Sequence, residues 1–406
     1  MLDSVVLGCG GVGSFALRAL SQRTSAILGV EQFSHNHNRG SSNGGSRIYR
    51  KAYFEHSNYV PWIQYSERVF RELTPSGTSL VENCGTLLME ERDGPILSSG
   101  LQSARDHDIP VQLLSNQELR YLYPQFRLYS NNTVGLLEPG GGFIRPERAM
   151  TAALEDAKLN GATVWDHTTV TSVNEYDTHV ELVLDRQGQE EMIQTKSLII
   201  TAGAWTSRWI PSWMPHLTVT RQLQGWINVN VNVNDSINVN DNHKAASTLT
   251  PSLYHPAAMP TWYMSTPESQ LPLYGIPADP WSDNPHWMKI GIHLRPNVIS
   301  DPCQSSRILT DGERAELVHA SALTMSARPL EFAATAPCLY TMTPDHHFLL
   351  GHSSPRIVSA AGLSGHGFKM TPALGAILVD MALDDGTAVK EWNTDFCSPR
   401  RFGLDY

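Results

Sequence analysis

Near the N terminus, Gly8-Cys9-Gly10-Gly11-Val12-Gly13 sits between an apolar stretch and a helical one. Ser4–Leu7 reads as a buried strand, a helix is expected from about Ser14 to Gln22, and AILGVEQF reads as a second strand ending at Glu31. The spacing G-x-G-x-x-G means little alone. Set in a strand–turn–helix–strand unit with an acidic residue about 20 positions on, it has the parts a dinucleotide site requires. Gly8 allows the tight turn, Gly10 lets the backbone approach a pyrophosphate, and Gly13 lets helix and strand pack closely. The helix N terminus offers unpaired N–H groups and partial positive charge to the phosphates. Glu31 can accept hydrogen bonds from a ribose diol and repels a 2′-phosphate. None of this separates a flavin dinucleotide from a nicotinamide one.

The 406 residues allow two or three domains, and a hydrophobic fraction of 41% is enough for a sizeable core. The formal net charge of −10 argues against nucleic acid as the main partner, because phosphate binding needs a basic face. One buried Arg or Lys can still govern an anionic substrate. The first residues run straight into an apolar strand, the last are GLDY, and no apolar run reaches about 18 residues. No signal peptide, membrane span or peroxisomal address is therefore expected, and the cytoplasm is the default. Five cysteines without paired spacing suggest neither a disulfide framework nor a metal site.

Further along, 36–46 reads as a Gly/Ser-rich loop, about 59–73 as a helix, and 80–92 and 110–140 as short strands and loops. PERAMTAALEDAKLNG (146–161) has helix polarity, with proline near its start and glycine at its end. ATVWDHTTVTSV, THVELVL, SLIITAGAW (197–205), LYGIP and MKIGIHL (288–294) read as strands, and 311–327 as a helix. Residues 356–383 pass from strand through a glycine-rich turn to a helix. The Asn/Val alternation at 227–242 fits either a hairpin or a surface insertion. Both ends of the chain read as α/β and the middle as strand-rich.

GSSNGGSRIYRKAY (40–53), TAGAW (201–205), MKIGIH (288–293), PCLYTMTPDHHFLLG (337–351) and GLSGHGFKMTPALG (362–375) follow one another in that order. The set resembles the monomeric sarcosine oxidase and N-methyltryptophan oxidase family of FAD-dependent amine oxidases, over most of the chain apart from the Asn/Val stretch and about 90–135. The resemblance implies a discontinuous, Rossmann-like, doubly wound α/β FAD-binding domain (1–85, 144–214 and 330–406). It also implies a second, mainly antiparallel sheet domain for the substrate (86–143 and 215–329). The implied reaction oxidises the C–N bond of a secondary or N-methyl amino acid to an imine, with O2 reduced to hydrogen peroxide by a monomer. D-amino-acid, glycine or cyclic imino-acid oxidation on the same fold is the nearest alternative. An NAD-dependent dehydrogenase and a non-catalytic flavin binder are the rivals of another class.

Residue by residue, the resemblance makes Cys338 the covalent attachment to the flavin, against the alternative of a buried structural thiol. Arg50 and Lys369 become the clamp on the substrate carboxylate. Arg50 could instead serve a structural ion pair, and Lys369 could lie at the surface. Lys289 is implied to face the flavin and assist oxygen, unless it points to solvent, and Arg47 to pack near the flavin ring. His293 and Tyr340 are implied to line the substrate pocket, although a lone histidine can simply be hydrogen-bonded in a core. FAD contacts are implied for Gly8, Gly10, Gly11, Val12, Gly13, Glu31, Ser41, Ser42, Ser46, Arg47, Val170, Gly203, Cys338, Gly365, Gly367 and Lys369. Asn43 and Gly45 depart from the histidine and glutamate that sarcosine oxidases tend to carry at these places.

Overall fold

The structure, a computed structural model, describes residues 1–74, 79–128, 130–229, 251–265, 271–326, 331–384 and 391–404. Its first sheet has eight strands. Leu2–Leu7 lies parallel between Ile27–Val30 and the end of Gln189–Ile200, Thr163–Trp165 continues beyond Ile27–Val30, and Ile357–Ala361 pairs parallel on the far side of residues 198–200. The first part of Gln189–Ile200 instead forms an antiparallel meander with Val180–Arg186 and Thr168–Glu175. Parallel strands covered on both faces read as unbroken apolar runs rather than alternating ones. Here Val6, Ile199 and Val358 pack under the helices, while Val5, Leu7, Leu198 and Ile200 pack on the other side with Val170, Val180 and Leu182.

The helix expected from about Ser14 begins earlier and spans Gly11–Ser21, because the glycines themselves form its first turn. It crosses Thr371–Leu383 at close range: a Cβ on Gly375 would stand 2.6 Å from the carbonyl carbon of Phe15. Pro146–Leu159, Val60–Glu72 and Asp311–Thr324 fall where the sequence places helices. Two further helices, Pro95–Asp106 and Asn116–Leu122, occupy stretches without a helical expectation. Gly100 and three serines weaken the first, which forms because Leu97 packs with Leu88, Val134 and Leu136. The second carries a capping box, Ser115 with Glu118, an S-x-x-E signal present in the sequence.

The second sheet runs Phe332–Met342, Thr218–Asn228, Trp287–Ile292, Leu273–Ile276, Thr261–Met264, Thr86–Glu91, Thr133–Glu138, Gln112–Leu114. Phe332–Met342 pairs along its length with Thr218–Asn228, so this strand departs from the 330–406 block to which the sequence assigns it. The Asn/Val stretch begins inside Thr218–Asn228, and its residues 230–242, with the expected hairpin turn, lie outside the described residues. All five cysteines are free. Among the described residues, no helix is long and apolar enough to cross a membrane.

Candidate active site

One cavity extends from the glycine turn of the first sheet to the inner face of the second. At its nucleotide end Gly8 has φ +93, and a Cβ there would stand 2.7 Å from the carbonyl oxygen of Thr201. A Cβ on Gly13 would run into the carbonyl oxygen of Gly8, so Gly13 serves close packing behind the wall rather than lining it. Gly10 faces open space, with Ser42 Oγ the nearest atom to a Cβ at 3.8 Å. The N-cap residue Gly10 offers no side chain to the helix Gly11–Ser21 and the first turn holds no acidic residue, so its N–H dipoles meet no anion from within the helix. Ser42 Oγ accepts from the N–H of Gly11 at 3.1 Å.

Glu31 directly follows the second strand, is 7 % exposed, and accepts from the N–H groups of Cys9 and Phe33, each at 3.0 Å. Burial raises its pKa, and those backbone donors hold the carboxylate in place. A cradle that side chains would fill, a helix start without an acidic cap and a fixed carboxylate together fit a dinucleotide. Val170, Gly203, Ser41 and Ser46 line the same cavity.

Toward the second sheet, Arg47 gathers the loop before it by donating to the carbonyl oxygens of Ser41, Asn43 and Ser46. The departures from the family pattern lie in this loop: Glu147 accepts from the N–H groups of Gly44 and Gly45 at 2.7 and 3.1 Å. Cys338 lines the cavity and is 5 % exposed, and Tyr340 lies two residues on, on the same face of its strand. Gly365, Gly367 and Lys369 enter from the turn before the last helix.

Lys289 is neither solvent-facing nor part of the cavity wall. It is 2 % exposed and donates to the carbonyl oxygens of Gly44 and Ser46 at 3.0 and 3.2 Å, behind the Arg47 loop. Burial, with Arg47 nearby, pulls its pKa well below the usual lysine value. His293, just past the same strand, does reach the cavity. Its Nδ1 meets the Tyr340 hydroxyl at 3.2 Å, and Tyr263, Tyr274 and Tyr340 ring it with centroids at 5.7, 6.4 and 5.6 Å. Burial draws its pKa down to about 3, so the imidazole is neutral.

Arg50 is 5 % exposed and already holds a partner, donating to both oxygens of Glu55 at 2.7 and 2.6 Å. Its guanidinium lies between the rings of Tyr53 and Phe54, 4.3 and 4.0 Å from their centroids. Lys369 Nζ approaches the same Tyr53 ring, at 5.2 Å. Burial raises the Glu55 pKa, but Arg50, His366 and Lys369 outweigh it and hold the carboxyl at about 2. Burial and Arg50 bring Lys369 down to about 7 against the pull of Glu55. Glu55, Phe54, Tyr263, Tyr274 and His366 are lining residues that the sequence reading leaves unassigned. A hint existed for Glu55, five positions after an arginine expected to bind carboxylates, and His366 stands inside the SGHGF run.

The model of the family described as FAD dependent oxidoreductase matches residues 3–381. Monomeric sarcosine oxidase of Streptomyces avermitilis is 30% identical over 390 residues, covering 95% of this chain and 94% of the relative. Peroxisomal sarcosine oxidase of Homo sapiens is also 30% identical, over 94% of this chain and 92% of its own. N-methyl-L-tryptophan oxidase of Yersinia pestis is 26% identical over 94% and 95%. The solved structure of NikD, an unusual amino acid oxidase essential for nikkomycin biosynthesis, superposes with a TM-score of 0.77 at 18% identity, over 98% of this chain and 97% of that one. The chain belongs to the FAD dependent oxidoreductases and, among them, to the family of monomeric sarcosine oxidase and N-methyltryptophan oxidase.

Proposed function

We propose that this chain oxidises a secondary or N-methyl amino acid of sarcosine type at its C–N bond, giving an imine and hydrogen peroxide. One observation carries the reading: two buried cations, Arg50 and Lys369, converge on the Tyr53 ring beside one carboxylate, Glu55. That leaves one positive charge to be matched by an anion entering the cavity, and a substrate carboxylate matches it. Lys369 is the freer of the two cations, since Arg50 already donates through Nη2 to Glu55 and through Nη1 to the Ala52 carbonyl.

FAD would be held by residues 8–12, Glu31, Ser41, Ser42 and Ser46, with Cys338 as its covalent anchor, and would supply the acceptor for two electrons. The chain's own residues bind, orient and exclude water. A substrate amine must be neutral to react, and a low-dielectric site favours that form. Neutral His293 and the protonated phenol of Tyr340, whose pKa burial raises well above its ordinary value, face the cavity without adding charge. The protein acts as a monomer in the cytoplasm, with Lys289 assisting oxygen from behind the Arg47 loop.

The test is peroxide release from a panel of N-methyl, cyclic, D- and unbranched amino acids, with the same amines lacking a carboxylate. Preference for a secondary amino acid is expected, with Lys369→Ala and Arg50→Ala each weakening carboxylated substrates selectively. Equal loss for both amine classes sinks the clamp, and a yellow protein that produces no peroxide from any amine sinks the oxidase.

A further inference from the structure

Tyr53 and His366 lie against the carboxylate anchor, and the reading above, on which this inference rests, gives their polar atoms no role. They are 1 % and 7 % exposed. His366 Nε2 stands 3.0 Å from the carbonyl oxygen of His346, and its Nδ1 stands 2.6 Å from the Tyr53 hydroxyl. Lys369 Nζ donates to the carbonyl oxygen of His366 at 2.8 Å and to the Tyr53 hydroxyl at 3.4 Å.

These contacts have one consistent set of hydrogens. A carbonyl oxygen only accepts, so His366 Nε2 carries a hydrogen. Burial, helped by Lys369 and Arg50, draws the His366 pKa down to about 4, so the ring is neutral and has a single N–H. Nδ1 is therefore a bare acceptor. The hydrogen between Nδ1 and the phenol oxygen is the phenol's own, and burial keeps that phenol protonated. The Tyr53 hydroxyl also stands 3.3 Å from the carbonyl oxygen of His366. Turning there would leave Nδ1 unpaired and compete with Lys369 for that carbonyl, so the tautomer selects the direction. Turned toward Nδ1, Tyr53 presents lone pairs to the ammonium.

We propose that Tyr53 and His366 are positioning residues for Lys369, joined in a one-way hydrogen-bond chain from Lys369 through Tyr53 and His366 to the His346 carbonyl. The chain fixes the ammonium with two of its three N–H groups and leaves the third for the substrate carboxylate. It does so without adding positive charge to a site that already holds two cations.

The test uses the full-length holoenzyme with Tyr53→Phe, His366→Ala and His366→Asn. The Asn amide oxygen can replace Nδ1 as the acceptor facing Tyr53. Acetate binding is read from the flavin absorbance, and KM and kcat are compared for N-methylglycine and for N-methylethylamine, which lacks a carboxylate. Tyr53→Phe and His366→Ala are expected to weaken acetate and raise the N-methylglycine KM on the order of tenfold, the scale of one hydrogen bond to a charged group. Turnover at saturation should stay within about twofold and the N-methylethylamine KM should not move. His366→Asn should recover most of the loss. Acetate binding by Tyr53→Phe and His366→Ala equal to wild type, equal losses for the two amines, or His366→Asn no better than His366→Ala overturns the relay while the oxidase reading stands. A wild-type enzyme that neither binds acetate nor oxidises any carboxylated amine overturns both. Should Tyr53→Phe fail to fold, the Ala and Asn pair at His366 decides.

Discussion

Replacing Glu55 by Gln should make the protein less stable and its grip on carboxylates tighter. The Arg50 and Glu55 side chains are 7% and 17% exposed and share two hydrogen bonds. Removing one partner of a buried pair costs about 3–5 kcal/mol. The cavity-facing side of Glu55 and the oxygen retained by Gln reduce this to about 1.5–3 kcal/mol. At about 2.1 cal/mol/K of unfolding entropy per residue, 406 residues convert that loss into a Tm drop of about 2–4 °C. The gain in binding arises because Glu55 and an incoming carboxylate compete for one guanidinium charge. Like charges 4 Å apart repel by about 4 kcal/mol at an effective dielectric near 20, and even a third of that is tenfold in affinity. Glu55 is held ionised down to about pH 2, so the comparison holds throughout the working range. Acetate titration followed by flavin absorbance, with thermal melting on the same samples, reads both quantities. Acetate affinity unchanged or weaker in the variant would refute the argument, since Glu55 would then be a support for Arg50 and not its competing anion.

Cys338→Ser is expected to fold and to release its flavin on acid precipitation, where wild type keeps its colour; a variant that stays yellow assigns the bond to another residue. For Lys289→Met, oxygen consumption should slow on the order of 10²–10³-fold while substrate still bleaches the protein anaerobically. A defect confined to anaerobic bleaching would assign Lys289 to substrate binding. Acetate should bind best below about pH 7 and weaken as pH rises through the Lys369 pKa, because the bound anion requires the ammonium form. Above that pH, binding should take up a proton; a flat affinity profile between about pH 6 and 9 would remove Lys369 from the anchor.

Sequence was most informative where local chemistry leaves few choices of residue. The turn at Gly8, the packing at Gly13 and the strand ending at Glu31 follow from backbone geometry and hydrogen bonding, and they appear within one residue of the expected places. Pairings over long separations were less legible. Nothing local in Phe332–Met342 says that its neighbour is Thr218–Asn228, and that pairing puts Cys338 and Tyr340 on the second sheet. Tyr263 and Tyr274 look like ordinary strand tyrosines until the sheet turns them toward His293. The helix Pro95–Asp106 forms against its own weak propensity because a buried face awaits it. Arg50 was identifiable as a cation of the site, but its engagement by Glu55 is a matter of packing.

The parallel strands of the first sheet join segments made at opposite ends of synthesis. Leu2–Leu7 needs Gln189–Ile200 beside it, that strand needs Ile357–Ala361, and the ring of Phe368 stands over Gly11. A ribosome adding about 5–20 residues per second makes Phe368 roughly 20–70 s after Gly8. Throughout that interval the nascent N terminus has its glycine turn but not all the walls that would enclose a nucleotide, and Leu2–Leu7 has Ile27–Val30 on one edge well before Gln189–Ile200 on the other. The cradle therefore closes only once Phe368 has been made. A chain truncated before Ile357–Ala361 lacks both that strand and the Phe368 wall of the cradle, whatever cofactor is supplied.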